Sequence, residues 1–111
     1  MIYNEEFFLL HSELCKTISN PKRQAILFSL KEKELNVREL VDKTGISQST
    51  ISQHLAILKD KGIVQVRKQG SNSYYSISNP KIMKAYDLMS EVLEEVIELK
   101  TRTIKRASSK K

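Results

Sequence analysis

Residues 36–62, NVRELVDKTGISQSTISQHLAILKDKG, decide the fold. Apolar residues recur at helical spacing on both sides of Gly45, which predicts two helices joined by a tight turn. Gly45 can end the first helix because glycine adopts the left-handed conformation without steric cost. Asn36 can cap that helix, with Glu39 three residues on as in a capping box, and Ser47 can cap the second helix.

The second helix, predicted over 47–60, has a polar side of an uncommon kind. A solvated helix side usually carries Glu and Lys four residues apart, whereas this one carries hydroxyls and amides and almost no acid. Such groups suit base edges and phosphates, and a helix-turn-helix places the beginning of its second helix in the major groove. The candidate DNA contacts are Ser47, Gln48, Ser49, Thr50, Ser52, Gln53, His54 and Lys59.

Two alternatives stay open for this segment. A helix pair joined by a turn can also be a plain helical hairpin inside a small bundle. His54 can contact DNA, or it can hold its helix to a neighbouring one.

The charge of the chain is unevenly spread. The 111 residues carry a formal net charge of +6, and their number suffices for one domain with a modest core. Residues 43–81 hold six Lys or Arg and one Asp, a balance of +5, which indicates a nucleic-acid partner. No apolar run is long enough to span a membrane, and the acidic N-terminus is unlike a secretory signal, so we expect a cytoplasmic protein without a membrane partner.

Residues 63–78 predict a β-hairpin. Val64 and Val66 alternate with polar residues, Gly70 lies at a turn signal, and the return strand alternates in the same way. The hairpin is either an ordinary surface element or a DNA-contacting wing, and its position directly after the polar helix favours the wing. The tip is basic and contains no acid. Its candidate contacts are Arg67, Lys68, Gln69, Ser71, Asn72 and Ser73.

Helices are also predicted before and after this segment. The last one, over 80–105, has apolar residues at alternating spacings of four and three and a length of ~35–40 Å, longer than a small domain is wide. Its apolar side therefore needs another partner, most simply a second copy of the chain. The predicted dimer contacts on the first and last helices are Phe7, Phe8, Leu10, Leu14, Tyr86, Met89, Leu93 and Val96. The basic tail 106–111 is expected to be disordered, as a solvated end or as a DNA contact.

These elements predict a mainly α fold with a small β-hairpin, a winged helix-turn-helix with N- and C-terminal dimerisation helices, as a single domain over 1–105. In order and spacing they resemble the ArsR/SmtB family. The matching stretches are residues 18–27, 39–64 and 67–75. The resemblance covers about residues 12–95 and implies a homodimeric, operator-binding transcriptional repressor whose recognition helix is 47–60.

The sequence departs from this family at its metal sites. Many members bind thiophilic metals through two cysteines on the third helix, where this chain has Asn36 and Arg38. Arginine cannot ligate a metal and a lone asparagine binds soft metals poorly. A second family site uses Asp and His on the last helix, and residues 80–111 contain no histidine. We therefore expect no metal and no cofactor, and the effector stays unknown.

Cys15 is the single cysteine, and three roles stay open for it. A free cysteine is most commonly a small buried hydrophobe. With His11, four residues earlier, it could form a metal set across a dimer. It could also be a redox switch through a disulfide between subunits.

The function that these patterns favour is sequence-specific DNA binding by a transcriptional regulator, with repression or activation left open. One alternative is a weakly specific architectural DNA-binding protein, and another is a winged helix used for protein contacts. An enzyme is not expected. The chain has two histidines, no Gly-rich phosphate loop and no paired carboxylates in an apolar setting.

Overall fold

The computed structural model describes residues 3–109, and the chain divides into two compact units between Asn79 and Pro80. The helices and strands of the first unit are α1 (Glu5–Ser19), α2 (Pro21–Ser29), α3 (Val37–Thr44), α4 (Gln48–Asp60), β1 (Val64–Gln69) and β2 (Asn72–Ile77). The second unit contains one helix, α5 (Lys81–Ser109). The mainly α fold with one β-hairpin is confirmed, and a single domain over 1–105 stays a prediction.

Local signals set the ends of the helix-turn-helix. The Glu39 backbone N–H donates to the Asn36 side chain at 2.8 Å, and the Asn36 N–H donates to the Glu39 carboxylate at 3.1 Å, which completes the predicted capping box. Gly45 follows α3 with φ 72°, in the left-handed region that glycine tolerates. Ser47 caps α4 by accepting from the Thr50 N–H.

Aliphatic side chains from α2, α3, α4 and the start of the hairpin form the core of the first unit. The largest fully buried ones are Ile26, Leu27, Leu40, Ile51, Leu55, Leu58 and Ile63. On α4, Ile51, Leu55 and Leu58 lie on one side, so burial of that side leaves the opposite side of the helix to solvent.

The hairpin is attached to the helices by an additional backbone bridge. β1 and β2 are antiparallel, with Val64 opposite Ile77. Leu35, in the link between α2 and α3, pairs with Tyr75 on β2. The Leu35 N–H donates to the Tyr75 carbonyl at 3.0 Å, and the Tyr75 N–H donates back at 2.8 Å. The link therefore lies along the second edge of β2, which the sequence did not predict.

α5 differs from the predicted long helix at its end. It continues to Ser109, beyond the predicted end at 105, so the expectation of a disordered tail is wrong for residues 106–109. Residues 110–111 lie outside the described residues. With 29 residues the helix is about 43 Å long. Among residues 3–109, no helix is long and apolar enough to cross a membrane.

Candidate nucleic-acid interface

The polar side of α4 faces solvent. The helix begins at Gln48, one residue after the predicted start, with Ser47 as its N-cap. The predicted contacts Gln48, Ser49, Ser52, Gln53 and Lys59 are exposed, and Thr50 is half-buried. Within the described part of the chain, the side chains of Gln48, Ser52 and Gln53 form no hydrogen bond. Their donors and acceptors are therefore available to a ligand.

Three hydroxyls at the start of α4 contact each other. Ser47 Oγ donates to Thr50 Oγ1 at 2.9 Å and lies 3.5 Å from Ser49 Oγ. The Thr50 N–H donates to Ser47 Oγ at 3.4 Å. These bonds stabilise the first turn of α4. The structure thus uses the Ser47 and Thr50 side chains to stabilise the start of the helix. Of the predicted DNA contacts, Gln48, Gln53 and Ser52 are the ones whose side chains have no partner within the described residues.

His54 contacts the helix α2. Arg23 Nε donates to His54 Nδ1 at 3.2 Å, and Arg23 Nη1 donates to the carbonyl of Thr17 at 3.3 Å. The imidazole is half-buried. Of the two roles left open for His54, the structure supports the contact with a neighbouring helix. Its proposed contact with DNA stays a prediction.

The burial of His54 and its cationic neighbours make the stability of the fold depend on pH. Burial lowers the pKa of His54, and the positive charges of Arg23 and Lys22 lower it further. The folded pKa therefore lies below the unfolded value of about 6.5. Between these values the unfolded chain binds more protons, so the contribution to stability is fully present above about pH 6.5 and is lost as the pH falls towards the folded pKa.

We expect the free energy of unfolding to fall more steeply in the parent protein than in His54→Gln as the pH is lowered from about 7.5 to about 5.5. The glutamine amide oxygen can accept from Arg23 but does not titrate. Urea unfolding at one fixed protein concentration measures the free energy of unfolding of both proteins at each pH. The two proteins share all other titrating groups, so the difference between their profiles isolates His54. Parallel profiles would show that His54 contributes no pH dependence.

The wing presents its tip to solvent, but one of its cations is paired. Lys68, Gln69, Ser71 and Asn72 are exposed and Ser73 is half-buried. Arg67 donates from Nη2 and Nε to the two carboxylate oxygens of Glu34 at 2.6 and 3.2 Å. It also donates from Nη1 to the Gln69 side-chain oxygen at 2.9 Å. Residues 67–73 contain no acid, but Glu34 from the α2–α3 link contacts Arg67 in the folded chain.

Each member of the ion pair favours the charged form of the other. The hydrogen bond from Arg67 lowers the pKa of Glu34, desolvation of the carboxylate opposes this, and the arginine charge lowers the pKa further. The hydrogen bond to Glu34 likewise raises the pKa of Arg67 above its ordinary value. Glu34 is thus a residue of the candidate interface that the sequence analysis missed.

The exposed side of α1 carries the cysteine. Cys15 is exposed, so the expectation of a buried hydrophobe is wrong for the single chain, because α1 turns this side to solvent. Cys15 Sγ lies 3.5 Å from His11 Nδ1. Within residues 3–109, no group of three or more His, Cys, Asp and Glu is placed to hold a metal ion.

The predicted dimer contacts are largely uncovered in the single chain. Phe7 and Tyr86 are half-buried. The exposed ones are Phe8, Leu10 and Leu14 on α1, and Met89, Leu93 and Val96 on α5. At the start of α1, the Phe7 ring lies 5.6 Å from that of Tyr3 and 6.1 Å from that of Phe8.

Comparison with known proteins identifies the family. The family described as "Bacterial regulatory protein, arsR family" matches residues 20–66. The transcriptional repressor PagR of Bacillus anthracis is 38% identical over 82 residues, 73% of this chain and 82% of that one. The transcriptional activator HlyU of Vibrio cholerae is 37% identical over 76 residues, 68% of this chain and 70% of that one.

A solved structure agrees with this match. The homodimeric winged helix-turn-helix DNA-binding domain of Mb0332 from Mycobacterium bovis superposes with a TM-score of 0.75 at 28% identity. The superposition covers 84% of this chain and 86% of that one. The resemblance seen in the sequence is confirmed: the chain belongs to the arsR family of bacterial regulatory proteins, and it is a winged helix-turn-helix transcriptional regulator that binds DNA and not an enzyme.

Proposed function

We propose that the chain is a homodimeric repressor that binds an operator in double-stranded DNA, with α4 in the major groove and the wing on the backbone. The observation that carries this is the division of α4 into two sides. One side is buried in the core, and the other exposes amides and hydroxyls, with no acid before Asp60. A glutamine amide can pair with adenine through two hydrogen bonds, which gives such a helix a means of reading sequence.

A homodimer is proposed because two helices each expose an apolar side that one protomer leaves uncovered. Large exposed apolar patches commonly mark interfaces, and closed twofold dimers are the commonest oligomers. The related domain of Mb0332 is homodimeric. In a twofold dimer, two α4 helices about 34–36 Å apart would meet successive major grooves on one side of the DNA.

Repression is proposed because it needs only occupancy of the promoter, which a DNA-binding surface can provide. Activation needs a further contact with the transcription machinery. The relatives include both a named repressor and a named activator. Expression from a promoter–reporter fusion, measured with and without the protein, distinguishes repression from activation. Since the proposed partner is chromosomal DNA, the proposed place of action is the cytoplasm.

The experiment that tests the function is selection of bound fragments from genomic DNA, followed by titration of a selected fragment and of a random duplex of equal length. A specific regulator should bind its fragment at least about 10³-fold more tightly at the same salt concentration. Equal affinities would support the architectural alternative. Retardation of neither duplex would support a winged helix used for protein contacts.

A further inference from the structure

Arg67 reaches across the whole wing to its acidic partner. It lies on β1 directly opposite Tyr74 of β2, and its guanidinium carbon lies 5.0 Å from the centre of the Tyr74 ring. The same guanidinium donates to Glu34, which precedes Leu35, the residue bridged to the second edge of β2. The guanidinium is therefore held by a carboxylate, an amide and an aromatic ring at once.

The same donors would be needed for a DNA phosphate. Carboxylate and phosphate both accept two parallel hydrogen bonds from a guanidinium, so they compete for one geometry. The pair is accessible to a ligand, since its side chains are 51% exposed for Arg67 and 39% exposed for Glu34. A phosphate contact gains affinity by releasing counterions from the DNA, and a pair that is already neutral releases fewer.

We propose that Glu34 is a positioning residue that limits the attraction of the wing for DNA by holding Arg67 away from the phosphates. This rests on the proposed DNA-binding function. On DNA the pair stays intact and adds no net charge, so the wing binds more weakly than it would with an unpaired Arg67. Lys68, the next residue, is exposed. Because side chains alternate along a strand, it lies on the opposite side from Arg67 and is the wing cation that remains for the DNA backbone.

The experiment measures the affinity of the full-length protein for a random duplex of about 30 base pairs as a function of salt concentration. Glu34→Gln should bind about 3- to 10-fold more tightly near 0.15 M salt, with a salt slope steeper by about one unit per wing. Glutamine keeps the size of the side chain and removes its charge. Arg67→Ala should change the slope little in the parent, yet it should abolish the gain in the Glu34→Gln background.

Glu32→Gln is the matched control, because it removes the same charge from the same exposed link. If Glu34 acted only through the overall charge of the protein, both variants would gain equally and Arg67→Ala would not matter. If the ion pair only stabilised the packing of the wing against the α2–α3 link, Glu34→Gln would bind DNA no more tightly than the parent and would have the same salt slope. Either result would overturn the proposal.

If Glu34→Gln folds poorly, the salt slope of the single variant Arg67→Ala still tests the proposal. A loss of about one unit of slope per wing in that single variant would mean that Arg67 already contacts phosphate in the parent, which contradicts the proposal. Failure of the parent protein to bind any duplex would instead refute the proposed function. The two failures are therefore distinguishable.

Discussion

Replacing Leu93 with lysine is expected to give a monomer and to weaken operator binding by about 10²-fold or more, because the two half-sites are no longer bound together. Leu93 is 58% exposed in the single chain, so the change removes little packing from the protomer. In the proposed dimer its side chain lies between subunits, where a buried, unpaired ammonium is costly. The added positive charge favours DNA binding in general, so weaker binding cannot come from the charge itself.

Glu91→Gln is the matched control for this prediction. It changes the net charge by the same +1 and lies two residues away, about 200° around the helix axis. Sedimentation at micromolar concentration should give about twice the 12.8 kDa chain mass for the parent and for this control, and the chain mass for Leu93→Lys. A Leu93→Lys protein that remains a dimer would mean that this side of α5 is not the dimer contact.

Those parts of the fold that depend on neighbouring residues could be predicted from the sequence. The capping box joins Asn36 and Glu39, three residues apart, and the end of α3 depends on Gly45 itself. The spacing of Ile51, Leu55 and Leu58 identified the buried side of α4, and with it the exposed polar side. Such features need no knowledge of how helices pack against each other.

Contacts between distant residues could not be predicted in this way. Arg67 and Glu34 are 33 residues apart, and Arg23 and His54 are 31 apart. Each pair meets only because whole elements pack together, and an isolated Glu or His in a sequence carries no sign of its partner. The proposed role of Glu34 and the helix contact of His54 both rest on these distant pairs.

Sequence patterns also do not show what covers one side of a helix. The usual role of a free cysteine predicts a small buried hydrophobe at Cys15, but its side of α1 is exposed in the single chain. At the other end, a basic, Ser-containing composition predicted disorder after residue 105, whereas α5 continues to Ser109. Lys, Arg and Ala favour helix, so a helix already formed can extend through them.

Replacing Gln53 with alanine is expected to weaken binding to the operator by about 1–3 kcal/mol, which is roughly 5- to 150-fold. Gln53 is exposed and lies two residues from both Ile51 and Leu55, which are buried, so it points away from the core. Alanine favours helix more than glutamine does, so the fold should not lose stability. Binding to random DNA depends mainly on phosphate contacts, and it should change little.

The ratio of operator to random affinity is therefore the quantity that tests Gln53. Gln65→Ala is the control, because it removes the same amide from an exposed site on β1 rather than on α4. A loss confined to the operator in Gln53→Ala would assign the amide to a base edge, since only base contacts distinguish the two duplexes directly. An equal loss on both duplexes would place Gln53 at the backbone. If Gln53→Ala, Ser49→Ala and Thr50→Ala combined cost less than a few tenths of a kcal/mol, this side of α4 does not read the DNA.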